Sequence, residues 1–320
     1  MTFPLFIKGD EGDLTRHQIC ANGSYKFSSV PLYEKGKSAS SINFMNQLHF
    51  KRTLLLLLLP GASFLFFFFL SPLVFVILES FRNPEGAVSW SRYSVVIHDP
   101  QFIQVYLRTL KIALIVTPLA VFVSYPSAYI MTRLRAGRKS FLMSLVILPL
   151  MTSPVARTFA WIVILGKYGI VNQSLRSFGF IDKPMRLMYT EGAIIVGLLQ
   201  LFMPIMVLTL ISAMENVQIE VEEAALSLGS SRLGCFFRVI VPLSYDGLIM
   251  GVTLVFTGCI TAYVTPAILG GAKVLTLSTL MRQEALVLMN WETATVIAVI
   301  MILTTLALYN GMRVFKPRTV

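Results

Sequence analysis

Val221-Glu222-Glu223-Ala224-Ala225-Leu226-Ser227-Leu228-Gly229, running on through Arg232 and Arg238 to Val239-Ile240-Val241-Pro242-Leu243, decides how this chain is read. The segment lies between apolar runs at about 192–214 and 248–269, each long enough to cross the ~30 Å hydrocarbon core of a bilayer. It is itself only moderately apolar and carries Glu215, Glu220, Glu222 and Glu223, so something other than lipid must hold it. Glu, Ala and Leu dominate from Glu220 to Leu228 and favour a helix. Gly229 permits the left-handed backbone that ends such a helix, and Ser230 or Ser231 can cap the next one. The expectation is a short helix, a sharp turn and a second short helix closed by Pro242.

The surroundings of that segment are those of a membrane protein. With 55% hydrophobic and 13% charged residues and a mean hydropathy of +0.72, the chain is too apolar for a water-soluble fold of 320 residues. Its net charge of +11 would suggest nucleic acid in a soluble domain. Here the basic residues flank apolar runs, where they set topology, so nucleic acid is discounted as a partner. Cys20, Cys235 and Cys259 fall in a tail, a loop and a span, which indicates neither a disulfide framework nor a metal cluster.

Residues 1–52 are polar, mixed in charge and without helical period, and the expectation for this N-terminal tail is disorder or weak structure. Met1 and Met45 are both candidate starts, because Met45-Asn46-Gln47-Leu48-His49-Phe50-Lys51-Arg52 leads directly into an apolar run. Six spans are expected, at about 54–78, 109–131, 141–165, 192–214, 248–269 and 293–312. The first is too long for a signal-peptide core and has no small-residue cleavage site after it. Between the second and third, Arg133-Leu134-Arg135-Ala136-Gly137-Arg138-Lys139 forms a dense basic turn that the positive-inside rule places in the cytoplasm. Counting outward from it puts both termini inside, beside Lys51 and Arg52 and beside Arg313, Lys316 and Arg318. External loops follow at 82–104, with turn signals at Asn83-Pro84 and Asp99-Pro100, at 166–190, with a short surface helix near 172–178, and at 270–291. The fold class is therefore an all-α polytopic membrane protein: a tail over 1–52, a transmembrane domain over 53–313 with an inner loop at 215–244, and a short tail over 314–320.

Gly137-Arg138-Lys139-Ser140 lacks the first glycine and the spacing of a nucleotide-binding loop, and no His, Cys and carboxylate set has catalytic or metal-ligand spacing. An enzyme reading has little to stand on. Arg157 is the one basic residue well inside an expected span, where exposure to lipid costs about 2.5 to 3.5 kcal/mol. Ser153, Arg157 and Trp161 share one helix face, which either lines the outer half of a translocation pathway or holds a snorkelling Arg beside an interfacial Trp. Thr253, Thr257, Thr261 and Thr265 step by four with Gly251, Gly258 and Ala262 nearby, a pattern that suits packing against a partner subunit or a polar stripe on the pathway. Tyr263 lies off that stripe, nearer in angle to Cys259 and Phe256.

The central segment resembles the EAA loop of the membrane subunits of bacterial ABC importers: Glu223, Ala224, Ala225, Gly229 and Pro242 stand at that family's spacing, with Val239 and Val241 in place of Ile and Leu. The resemblance implies the type I importer permease fold and a first helix, around Glu222, that docks into a groove on a separate ATPase. It further implies an ATPase dimer that binds ATP and Mg, a second permease subunit, an external solute-binding protein and a small-molecule substrate, with no cofactor in this chain. Ala156-Arg157-Thr158-Phe159-Ala160-Trp161, Gly169-Ile170-Val171-Asn172, Tyr263-Val264-Thr265-Pro266-Ala267-Ile268-Leu269-Gly270-Gly271 and Asn290-Trp291 are similar to spermidine/putrescine-type permeases. Glu292 departs from that pattern, where Pro often follows the Trp. Ferric iron, sulfate, phosphonate or an amino-acid-like solute are alternatives within the family. A secondary transporter or channel is the alternative outside it, and would call for ionisable residues deep in several spans.

Overall fold

The computed structural model describes residues 5–8, 14–17, 57–82 and 89–314. Most of the tail with Met45, the Asn83-Pro84 turn, and Lys316 and Arg318 lie outside the described residues. Residues up to Leu70 and residues from Ser71 onward form separate compact units. In the tail, Leu5–Lys8 (β1) pairs antiparallel with Leu14–His17 (β2), Leu5 opposite His17 and Lys8 opposite Leu14. Within a tail expected to be disordered or weakly structured, these eight residues are the described part, and Phe6 and Ile7 are strand formers.

The other described elements are all helices. Counting one bent pair as a single span, six stretches among the described residues are long and apolar enough to cross a membrane. In order the helices are α1 (Leu57–Ser80), α2 (Ser91–His98), α3 (Pro100–Thr132), α4 (Ala136–Met151), α5 (Pro154–Leu165), α6 (Ile170–Ser177) and α7 (Glu191–Glu215). They continue as α8 (Ile219–Ser227), α9 (Arg232–Leu243), α10 (Tyr245–Thr261), α11 (Val264–Leu269), α12 (Leu277–Arg282) and α13 (Trp291–Val314).

The central pack is α3, α7 and α10, with Ile112, Val116, Ala120, Ile194, Leu198, Leu210, Val255 and Ile260 almost wholly withdrawn from solvent. Helices α3 and α7 run parallel. At one end Glu191 meets Arg108 (3.3 Å) and Lys111 (2.8 Å); at the other Lys139, just past α3, meets Glu215 (2.6 Å). These are called the far end and the basic end below. Small residues let α10 approach α7: a Cβ on Gly251 would lie 2.5 Å from Met206 Sδ, and one on Gly258 2.5 Å from Phe202 Cζ. The glycine face of the stepped threonine helix therefore packs inside this chain rather than on another subunit. The Thr253 and Thr261 hydroxyls donate to carbonyls of their own helix, Ile249 O and Thr257 O.

Four boundaries differ from the sequence expectation, each for a local reason. The second span begins at Pro100, not near 109, because Asp99 accepts from Gln101 N (3.0 Å) as an N-cap and Pro100 takes the first turn. At 33 residues α3 is about 50 Å long, longer than the bilayer core. The third span is broken at Thr152 and Ser153, since Pro154 disfavours helix in the residue before it and starts α5. The fifth is broken at Ala262 and Tyr263: Pro266 has no N–H to offer Ala262 O, which accepts from Ser278 Oγ instead. Pro242 does not close the second loop helix. Val241 N already bonds five residues back to Phe236 O in a π turn, and α9 runs to Leu243 before a 71° bend into α10.

The stretch 270–291, expected to be an external loop, contains α12, whose Leu277, Ser278, Thr279 and Leu280 are buried. Thr109 of α3 holds its start, accepting from Leu277 N at 3.0 Å while donating to Val105 O at 2.8 Å. Thr109→Val should lower stability by about 1 to 2 kcal/mol, the cost of orphaning a buried helix-start amide, and a lowered melting temperature in detergent checks it. Glu292, the departure at the start of α13, has a partner here: Arg92 of α2 at 2.9 Å.

Candidate coupling site at the basic end

Glu220 and Glu222 in the first turn of α8 sit favourably in the field of the helix N-terminus. The helix ends as a Schellman turn: Ser230 N donates to Ala225 O (3.1 Å), Gly229 N donates to Leu226 O (3.0 Å), and Gly229 has φ +90°. Ser231, not Ser230, then caps α9, accepting from Gly234 N at 3.1 Å. The expected helix, turn and helix are all present.

The residues of the glutamate segment divide between two surroundings. Glu222 is half-buried and committed within the chain: Arg133 Nε donates to its Oε2 at 2.8 Å, Arg133 Nη2 lies 2.6 Å from the same oxygen, and Tyr129 Oη donates to its Oε1. The Arg133 guanidinium also lies 5.7 Å from the Tyr129 ring centre. Behind this pair, Phe236 of α9 meets Tyr129 edge-on at 5.2 Å and Tyr125 at 5.7 Å, and Tyr125 Oη pairs with Ser244 Oγ (2.7 Å) at the α9–α10 bend. Buried Cys235 points its thiol toward Glu222 O. Ala225, one turn after Glu222, is half-buried on the same side.

Glu220, Glu223 and Ala224 face outward, and the two carboxylates have no ion pair or hydrogen bond with the described residues. Around them Ile219, Val221, Leu226 and Leu228 are exposed, Leu228 at 89%. Pro242 is exposed on α9. The acidic segment was expected to be held by something other than lipid, and for Glu222 and Glu215 that is Arg133 and Lys139 of the basic turn. Tyr129, Arg133 and Phe236 were missed as members of the site, although Arg133 stood out as a topology marker.

The suggested pathway residues lie in different surroundings. Ser153 is exposed at the start of α5 and makes no cap bond. Arg157 does not stack on Trp161, whose Nε1 donates to Gln200 Oε1 of α7 at 3.4 Å, and Arg157 Nε and Nη1 are buried without a hydrogen-bond partner among the described residues. Thr261 is exposed at the end of α10, while Tyr263 sits in the break with the Arg282 guanidinium 5.4 Å from its ring centre. Thr158, beside Arg157, meets Thr265 just past that break (3.4 Å), so the two groups border one region without touching.

Six apolar stretches among the described residues, one of them a bent pair, with a helix–turn–helix clasped to the basic end define a multi-pass membrane protein. Residues 124–320 match the family described as binding-protein-dependent transport system inner membrane component, and the chain belongs to it. It is 33% identical over 243 residues to a spermidine/putrescine transport system permease protein PotB of Haemophilus influenzae, covering 74% of this chain and 85% of that one. Its identity to the PotB of Escherichia coli is 31%, over 69% of this chain and 82% of the relative. Among solved structures, a chain of a bacterial alginate ABC transporter, in complex with alginate pentasaccharide-bound periplasmic protein, has the same fold. The TM-score is 0.73 at 14% identity, covering 85% of this chain and 96% of that one. The chain is accordingly an inner-membrane permease component of an ABC importer, and the secondary-transporter alternative falls away.

Proposed function

We propose that this subunit conducts polyamines, spermidine or putrescine, by alternating access driven by a separate ATPase dimer. That dimer carries the ATP and Mg; a second permease subunit and an external solute-binding protein complete the assembly. The basic end is cytoplasmic by the density of its Arg and Lys residues, which puts both termini inside. The substrate assignment follows from the printed function of the PotB relatives. The coupling assignment follows from one observation above the others: α8 turns Ile219, Glu223 and Leu226 outward as an apolar strip with an acidic rim that nothing among the described residues covers. Glu223 and Ala224 lie on that surface, Ala225 seats the helix behind it and Gly229 ends it, and Ser153, Arg157, Trp161, Thr261 and Tyr263 border the route of the substrate.

The test is uptake by proteoliposomes holding the whole complex, with liganded binding protein outside and ATP on the ATPase side. Labelled spermidine should accumulate, unlabelled putrescine should compete, and sulfate should not. Accumulation of another solute in place of spermidine would overturn the substrate. Failure of an ATPase subunit to copurify with this chain would overturn the coupling role of α8.

A further inference from the structure

Resting on the reading of α8 as the helix gripped by the ATPase, we infer that Glu222 and Arg133 form an internal clasp that passes the motion of α8 directly into α3. Glu222 is then a positioning residue and not a contact to the motor. The chain offers three routes from α8 to the membrane. Two are covalent, back through residues 216–218 into α7, and forward through Gly229 and α9 to the 71° bend at Ser244 and so into α10. The third is the set of side chains with which the basic end of α3 holds α8, α9 and the bend. Arg133 and Tyr129 hold α8 through Glu222, Tyr125 and Tyr129 flank Phe236 of α9, and Tyr125 bonds Ser244 at the bend.

The forward covalent route alone is soft. It contains a glycine turn, a π turn and a bend, each of which can absorb a displacement before it reaches α10, and the link back through residues 216–218 delivers to α7 and not to α3. The clasp bypasses them. Both Glu222 oxygens are occupied, one by the guanidinium and one by a phenol, and the guanidinium lies against that phenol's own ring, so the three groups move as one body. Helix α3 in turn packs along α7 and α10 up to the far end, where Arg108 and Lys111 hold Glu191. A push on α8 therefore reaches the far end through the longest described helix of the core, interrupted at Pro118 and Pro126 but packed along α7 and α10. The outward residues of α8, Glu223 among them, remain for the motor.

The experiment uses the complete complex in proteoliposomes and compares Glu222→Arg, Arg133→Glu and the double exchange E222R/R133E. Two readouts are taken: copurification of the ATPase subunit, and ATP hydrolysis stimulated by liganded binding protein. Each single reversal should cut the stimulated rate about tenfold or more while the ATPase still copurifies, and the double exchange should restore it to within about threefold of the parent. Tyr129→Phe, which keeps the ring and removes only the hydroxyl, serves as the milder variant should the reversals fail to accumulate, and should lower the stimulated rate without releasing the ATPase. Loss of copurification in Glu222→Arg would make Glu222 a docking residue and overturn the clasp, as would normal stimulation in both single variants or no rescue in the double. If the ATPase does not copurify even with the parent chain, it is the docking role of α8 that falls.

Discussion

Gly229→Ile should abolish ATP-driven uptake while the protein still accumulates in the membrane. At Gly229 the backbone has φ +90°, a region open to glycine and closed to a β-branched residue, yet a Cβ added there would meet nothing within 4 Å. The penalty is therefore all in the backbone and none in packing. Relief comes by unwinding the end of α8, which breaks the Ser230-to-Ala225 and Gly229-to-Leu226 hydrogen bonds and swings Ser231 off the start of α9. Since α8 and α9 lie at the basic end, outside the α3–α7–α10 pack, the core is spared. The strain is on the order of 1 to 3 kcal/mol and is relieved within the turn, where the α7–α10 contact is not involved. Uptake at or below about a tenth of the parent, with equal protein in the membrane, is the expected result. Gly229→Asn, which tolerates left-handed backbone, should keep most of the activity. Normal transport by Gly229→Ile would mean that the angle between α8 and α9 is not part of the transmission.

How much of this was legible beforehand follows from range. Apolar length and basic flanks act locally along the chain, so the count of six spans and the helix–turn–helix between the fourth and fifth could be read from the sequence. Local chemistry also fixed Gly229 as the turn residue. Caps were harder. Asp99-Pro100 was taken as a turn signal, and the same two residues are as good a beginning for a helix as for a loop. The breaks at Thr152-Ser153 and Ala262-Tyr263 each precede a proline, but hydropathy alone runs straight through them.

What the sequence could not carry was pairing across distance. Arg133 and Glu222 are 89 positions apart, and only the parallel packing of α3 on α7 brings the basic turn to the glutamate loop. The excess of acid in that loop was visible and its explanation was half outside the chain and half within it. Arg157 and Trp161 show the converse: correct helical spacing put them on neighbouring positions, but the indole donates to Gln200 of α7 and the guanidinium does not stack on its ring. Spacing says which side chains can meet, and a third helix decides which do.

Gly247→Leu should prevent the protein from accumulating at all, for the opposite reason to Gly229. Gly247 sits in the first part of α10 with ordinary helical backbone, and is buried against α7. A Cβ there would fall 2.8 Å from Thr209 O, with the Ala213 Cβ nearer still, and neither backbone nor a methyl group can rotate away. The two helices must separate. That separation also pulls Ser244, three residues earlier, from Tyr125, so one substitution loosens the α7–α10 contact and the α3 hold on the bend together. Overpacking of this kind costs about 3 kcal/mol, a large part of the stability of a membrane bundle. Gly137→Ala, on the basic turn where a Cβ meets nothing within 4 Å, should leave the yield unchanged and serves as the control. Size-exclusion profiles of detergent-solubilised protein decide the matter: a normal monodisperse peak from Gly247→Leu would mean that α7 and α10 do not make the close approach on which the core depends.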